Sequence, residues 1–302
     1  MTTATLHMPM PAAPDVPVRH MDFSEDRVNL PRYFYDNDPF ASSYFLAFSA
    51  VIPHGERFFM ESVRNYRDQV RDPGLQERVG GFIGQEAMHG KEHDAVNDAY
   101  DAMGFPLRKL DRVSRGGLKL LTRVTPHRFQ LAFTVAMEHF TAIVSEYTFR
   151  HPTIQAKFTP EARRFMLWHM LEETEHKSVA FDVYQSTGGS YFTRVLAMIV
   201  STGFLIGTLL LFQLWILAVD GSFGTVLRHP RGIAGIYGPR GLWASVFRPY
   251  LDFFRPSFHP SHHDTEALLI EIQDRLFSSQ HGELKNQLKK TIMPRTRTMA
   301  AA

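Results

Sequence analysis

Between residues 38 and 187 apolar positions recur every three to four residues, the spacing of one helix face. No stretch shows the period of two that a half-buried strand needs. The interruptions carry helix-boundary chemistry. Asp38-Pro39 reads as an N-cap followed by a proline where a missing N–H costs nothing. The apolar run 40–52 meets Pro53, which kinks one long helix or separates two. The pattern resumes through Glu56, Phe59, Met60 and Val63 to about Arg71. Asp72-Pro73 opens a second long helix, which runs to Met103 and stops at Gly104. A short basic helical stretch broken by Gly116-Gly117 fills 105–124. Thr125-Pro126 caps a third long helix ending near Arg150, and Thr159-Pro160-Glu161 caps a fourth ending near Gly188-Gly189. The expected fold is all-α, built on a four-helix bundle.

Residues 195–219 then run without a charged side chain, past the ~20 residues that cross a hydrocarbon core. The expectation is a transmembrane helix, with a buried central helix of a large all-α fold as the alternative. Trp215 near its end suits an interfacial aromatic, and Gly203-xxx-Gly207 allows the close helix packing of a homodimer. Arg194 lies on one side and Arg228, Arg231 and Arg240 on the other, so orientation stays open. Residues 221–260 are rich in Gly, Pro and aromatics. Trp243, Phe247, Tyr250 and Phe253-Phe254 suit a membrane surface or an ordinary aromatic loop equally. The run Phe258-His259-Pro260-Ser261-His262-His263-Asp264 reads as a turn, with Asp264 as N-cap of a last amphipathic helix near 265–278, in preference to a metal site. Met1 to Asp22 has no apolar run of the secretory kind, so the globular part is expected in the cytoplasm. The chain is thus divided into a flexible segment 1–30, a helical bundle 31–190, a hydrophobic helix 191–220, and a C-terminal segment 221–302 with a fraying basic tail from Lys285.

Composition narrows the chemistry. Lys and Arg number 33 against 31 Asp and Glu, a net charge of +2, which gives no electrostatic case for nucleic-acid binding. Cysteine is absent, which removes disulfides, thiolate ligands and cysteine nucleophiles. Histidine occurs 15 times and phenylalanine 25 times.

Two of those histidines close Glu-x-x-His motifs, Glu86/His89 on the second helix and Glu173/His176 on the fourth. Residues i and i+3 lie one turn apart on one helix face, so carboxylate and imidazole can reach the same ion. One such motif arises about once by chance at this composition; two on two capped helices exceed that. His93 and His169 extend the same faces, His169 as a further ligand and His93 as an extra candidate. The other two long helices each supply a carboxylate among apolar neighbours, Glu56 and Glu138, where an ionised side chain is costly unless paired or metal-bound. Arg57 and Lys177 are the only basic residues directly beside these motifs, and neither shares a ligand face. Glu172 competes with Glu173 for the ligand position. Glu172 and Glu175 otherwise read as solvated or supporting groups, and His139 as a packed or surface histidine.

The segments Pro53-His54-Gly55-Glu56-Arg57-Phe58-Phe59, Gly84-Gln85-Glu86-Ala87-Met88-His89 and Trp168-His169-Met170-Leu171-Glu172-Glu173-Thr174-Glu175-His176-Lys177 resemble a bacterial family described as predicted metal-dependent hydrolases. The likeness continues through Ala180-Phe181-Asp182-Val183-Tyr184 and Phe258-His259-Pro260. The ligand pattern also looks like that of ferritin-like di-iron enzymes. Its His169-xxx-Glu173-xx-His176 form is similar to the di-iron oxygenases of aryl amines, from which His93 departs. These likenesses imply a ferritin-like bundle with two metal ions, iron first and Mn or Zn as alternatives. In the expected arrangement Glu86 and Glu173 bridge the ions, Glu56 and His89 complete one end, and Glu138, His169 and His176 the other. Phe59, Met60, Met88 and Met137 are expected to line an apolar pocket.

The expected activity is a membrane-associated O₂-activating enzyme acting on a small apolar or aromatic substrate, with membrane lipid and an electron donor as partners. The alternative is a hydrolase using a metal-bridging hydroxide. A third reading is metal storage or sensing.

Overall fold

The computed structural model describes residues 14–293. Among the described residues the fold is all-α apart from one two-stranded ribbon that joins segments near the two ends of the chain. Strand β1 (Val18–Met21) pairs antiparallel with β2 (Leu288–Ile292), with Val18 opposite Ile292 and His20 opposite Lys290. This corrects the expectation of a flexible lead-in and a fraying tail. The paired parts of both are held against the bundle; residues 1–13 and 294–302 lie outside the described residues.

Helix α1 (Ser24–Val28) follows β1. The chain then enters α2 (Pro39–Ser49), capped by the Asp38 carboxylate, which accepts from Ala41 N at 2.8 Å. Pro53 divides this region in two: α3 (Ile52–Arg64) restarts with the proline in its first turn, where its missing N–H has no intrahelical partner to lose. Asp72 caps α4 (Pro73–Ala102) through Leu75 N. Helix α5 (Leu107–Val124) runs unbroken through Gly116-Gly117, against expectation. Helix α6 (His127–Arg150) and the short α7 (Pro152–Gln155) follow, and the expected fourth helix arrives as two, α8 (Pro160–His176) and α9 (Val179–Ser186). The core gathers Phe82, Phe133, Trp168 and Phe181 from these helices.

The apolar stretch forms α10 (Tyr191–Asp220), capped by Ser190 at its start and closed by Gly221 in the left-handed region (φ +70°), which glycine adopts without steric cost. It is long and apolar enough to cross a membrane. Yet one face packs on α2 and α6 along its length: Leu205, Leu209, Phe212 and Ile216 share the core of the bundle, and Gln213 donates to Phe40 O at 2.9 Å. Its opposite face is exposed. Helices α11 (Phe223–Arg228), α12 (Arg231–Tyr237) and α13 (Leu242–Asp252) fold back, with α12 on α2 and α13 on α6. The histidine-rich run is a turn as expected. Asp264 accepts from Glu266 N, and Thr265 takes the cap position of α14 (Glu266–Phe277). His259 in that turn is held by Asp182 at 2.8 Å and His263 by Asp252 at 3.1 Å.

Candidate metal centre

Four helices turn their acidic positions toward one buried space. Helix α3 contributes Glu56, α4 Glu86 and His89, α6 Glu138, and α8 His169, Glu173 and His176. All seven side chains are buried. Glu173 stands between two groups. Its Oε1 lies 3.0 Å from His169 Nε2 and 3.5 Å from His89 Nδ1, and His89 Nδ1 is 3.7 Å from Glu56 Oε1. Its Oε2 faces His176 Nε2 at 3.5 Å, and that nitrogen is 3.2 Å from both Glu86 Oε1 and Glu138 Oε2. Glu56, His89, His169 and Glu173 form one set whose donor atoms are close enough to share an ion; Glu86, Glu173 and His176 form a second.

This arrangement corrects one assignment. His169 was expected beside Glu138 and His176, but it joins Glu56 and His89. The reason is helical geometry: His169 lies one turn toward the N-terminus of α8 from Glu173, and that turn faces α3 and α4. His89 and His169 stack there with ring centroids 4.3 Å apart.

The donor atoms converge on one another, and most are left without a hydrogen bond. Both oxygens of Glu56, Glu86 and Glu138, together with Glu173 Oε2, His89 Nδ1 and His176 Nε2, make no hydrogen bond. Buried polar atoms are almost always paired, so a cluster of this kind fits cation ligands. Burial, with neighbouring carboxylates, pushes Glu56 and Glu86 well above the usual carboxylate range and lifts Glu138 to about 7. Burial acts upward on Glu173 too, but His176, His169 and His89 overcome it and hold that carboxyl well below its ordinary value. Burial lowers His176, but Glu138 and Glu173 outweigh it and the imidazole is raised.

A second layer fixes the imidazoles. His89 Nε2 is 2.9 Å from Glu172 Oε2, which leaves Nδ1 turned into the cluster. His176 Nδ1 is 2.9 Å from Gln85 Oε1, which leaves Nε2 turned in. Gln85 donates to Glu175 Oε2 at 2.8 Å. Arg19 joins these two supports, donating to Glu172 Oε1 at 3.0 Å and to both oxygens of Glu175 at 2.8 and 2.6 Å. Glu172 is thus a support beneath His89, and Glu173 is the carboxylate common to the two groups. His93 stands behind His169: its Nε2 is 2.9 Å from His169 Nδ1 and its Nδ1 2.8 Å from Ser49 Oγ, so both ring nitrogens are engaged. His139 packs away from the cluster, with Nε2 3.0 Å from Pro249 O, and burial lowers it to about 3.

Arg19 was invisible to sequence reasoning because it lies outside the long helices and only chain-end pairing brings it in. A cluster so rich in buried acid does require a cation, and that was the available signal. Gln85 was legible in position, directly before Glu86, but not in role.

A small apolar cavity of about 50 Å³ abuts the cluster at His169 and Glu173, walled by Phe45, Phe48, Phe140, Met170, Leu205 and Trp243. A second, of about 20 Å³, lies against Phe59 and Met137 and is closed by Leu118, Phe204 and Leu205. Of the residues expected around a pocket, Phe59 and Met137 line this second space. Met60 and Met88 pack into the core side of their helices and line neither.

A helical protein that turns carboxylates and imidazoles onto one buried space belongs among the metal-binding bundles. The profile of a family described as "predicted metal-dependent hydrolase" matches residues 17–264, and the chain belongs to that family. No curated protein and no solved structure matches it. The likeness to ferritin-like di-iron proteins therefore rests on the ligand pattern alone.

Proposed function

We propose that this chain is a two-metal hydrolase acting on a small apolar or aromatic substrate. The observation that carries this reading is the set of clustered buried carboxylate and imidazole atoms that make no hydrogen bond, in a chain whose family is named for metal-dependent hydrolysis. Glu173 would be shared between the ions. Glu56, His89 and His169 would hold one, and Glu86, Glu138 and His176 the other. The donors are oxygen and imidazole nitrogen, which suits Zn, Mn or Fe. Two such ions supply Lewis acidity and an activated water. The protein's own part is positional. Glu172 and Gln85 keep His89 and His176 in the tautomers that face inward, and the phenyl and thioether walls beside His169 exclude bulk water from an apolar substrate.

O₂-dependent oxidation is the second reading. The cavity beside the cluster favours it, because its non-ligand polar groups are few: the hydroxyls of Tyr44, Thr141 and Ser145, the Trp243 indole and His93. This reading needs an external electron donor.

Metal analysis and two assays separate the readings. Protein loaded with Zn or Mn is offered aryl and acyl esters without O₂, and protein loaded with Fe(II) is followed for O₂ consumption. Turnover without O₂ supports hydrolysis. Stoichiometric O₂ uptake with no ester turnover supports the second reading, and many irons per chain would mean storage. Glu173→Ala should lose at least one ion and all turnover, and full occupancy in that variant would remove the bridging assignment.

A further inference from the structure

The exposed face of α10 is apolar from end to end. Phe192 is 82% exposed and Leu211 68%, and Leu196, Ile199, Leu214 and Trp215 continue the face. No charged residue lies between Arg194 and Asp220. The exposed apolar surface extends to Leu227, 78% exposed, on α11 and to Phe247 and Leu251 on α13. Patches of this continuity mark interaction sites on folded proteins.

Basic residues flank it on two sides. Helix α5 lies beside α10, its Gly117 facing the Phe204 ring, and exposes Arg112, Arg115, Lys119 and Arg123. No acidic residue occurs between 112 and 137. On the other side, 221–251 carries Arg228, Arg231, Arg240 and Arg248, all exposed, again with no Asp or Glu. Among the described residues none of these eight cations is ion-paired with a carboxylate, and Leu120 and Val124 stand exposed among those of α5. An apolar stripe edged by free cations complements a surface of hydrocarbon edged by anions.

We propose that α10, α11, α13 and α5 form a docking surface for one leaflet of an anionic phospholipid bilayer, with α10 lying in the membrane plane rather than crossing it. The packing of α10 carries the second half of that statement. Its inner face is joined to α2 and α6 over its whole length, and α6 bears Glu138. Standing α10 along the bilayer normal would draw those helices and their charged ends into hydrocarbon, where unpaired polar groups are not tolerated. Lying flat, it sinks only its outer face among the acyl chains while the arginines stay at headgroup level. A second copy on the same face would bring the basic flanks of two chains together, which charge repulsion opposes. The inner residues Phe204 and Leu205 also wall the two apolar cavities, so the docking helix separates lipid from the space beside the cluster.

The absence of cysteine makes topology directly measurable. Glu61→Cys, ahead of α10, and Asp274→Cys, beyond it, both replace exposed residues. In inverted membrane vesicles an impermeant maleimide should label both, and in sealed cells neither; labelling on opposite sides would overturn the in-plane assignment. The purified full chain should sediment with vesicles of phosphatidylcholine and phosphatidylglycerol and bind phosphatidylcholine alone roughly tenfold more weakly. Arg115→Glu with Lys119→Glu should remove that preference, and Leu211→Glu should weaken binding to both. These positions are exposed, so the variants should fold with wild-type metal content. If the chain binds no vesicles and is instead a dimer in water that Leu211→Glu dissociates, the surface belongs to a second copy and the proposal fails. Metal content is read separately, so a failed metal centre would leave this test intact.

Discussion

Arg19 is the residue on which the two halves of the centre converge. It is the buried cation for Glu172 and Glu175, and through Glu172 and Gln85 it sets the inward nitrogens of His89 and His176. Removing one partner from a buried ionic group leaves uncompensated charge, a loss of about 3–5 kcal/mol. Arg19→Ala should therefore lower the melting temperature markedly and weaken metal binding roughly 10- to 100-fold, as loss of an outer-layer support does. Arg19→Lys should recover stability better than metal affinity, because an ammonium lacks the planar fork that meets both carboxylates. Unchanged affinity in Arg19→Ala would detach this network from the metal. Protons test the same residues. Glu56, Glu86 and Glu138 are raised, so in the metal-free protein they hold protons that an ion must displace. A raised carboxyl competes below its folded value and not above it. Metal affinity should thus climb as pH rises toward about 7, where Glu138 ionises, with proton release detectable by calorimetry in buffers of different ionisation heat. A flat profile between acidic and neutral pH would contradict the assignment of these carboxylates as ligands.

At the scale of elements, α4 and α3 meet closely at Gly90, opposite one ligand. A Cβ at Gly90 would sit 3.0 Å from Glu56 Oε2. Gly90→Ala should gain helix propensity, by up to ~1 kcal/mol, yet displace Glu56. The expected outcome is a protein of near-normal helicity with weakened binding at the Glu56, His89 and His169 set and normal binding at the other. Equal binding at both sets would show that Glu56 yields without consequence. The elements themselves were largely readable. Asp38 and Asp72 cap helices because their side chains answer free N–H groups at positions the sequence displays, whereas the expected caps Thr125 and Thr159 give no side-chain hydrogen bond to α6 or α8. The division of the fourth helix after His176 was not readable, since Lys177 at the break donates to Thr265 Oγ1, a partner far along the chain.

At the scale of the whole molecule, α10 decides whether bundle and apolar helix are separable. Its sequence suggests a detachable anchor, but Leu205, Leu209, Phe212 and Ile216 fill the bundle's own core. Deleting residues 191–220 should therefore expose that core and open the cavity walls, giving aggregated or metal-free protein, as truncation of a packed helix does. A soluble, metal-loaded product after the deletion would show that α2 and α6 stand without it. Chain-end pairing has the same global character, because β2 holds β1 and β1 carries Arg19.

What the sequence by itself determined is local in origin. Helix starts, the placement of Glu86 with His89 and of Glu173 with His176 on common faces, and the apolar identity of 195–219 all follow from spacing within about one or two turns. Tertiary structure alone decided the rest, because it depends on which distant faces meet. It set His169 beside Glu56 and His89, put Glu172 beneath His89 and Glu173 between the two sets, and brought Arg19 across 153 residues to Glu172. It also gave α10 one face for the core and one exposed face, a distinction that a helix apolar on every side cannot encode in its own pattern.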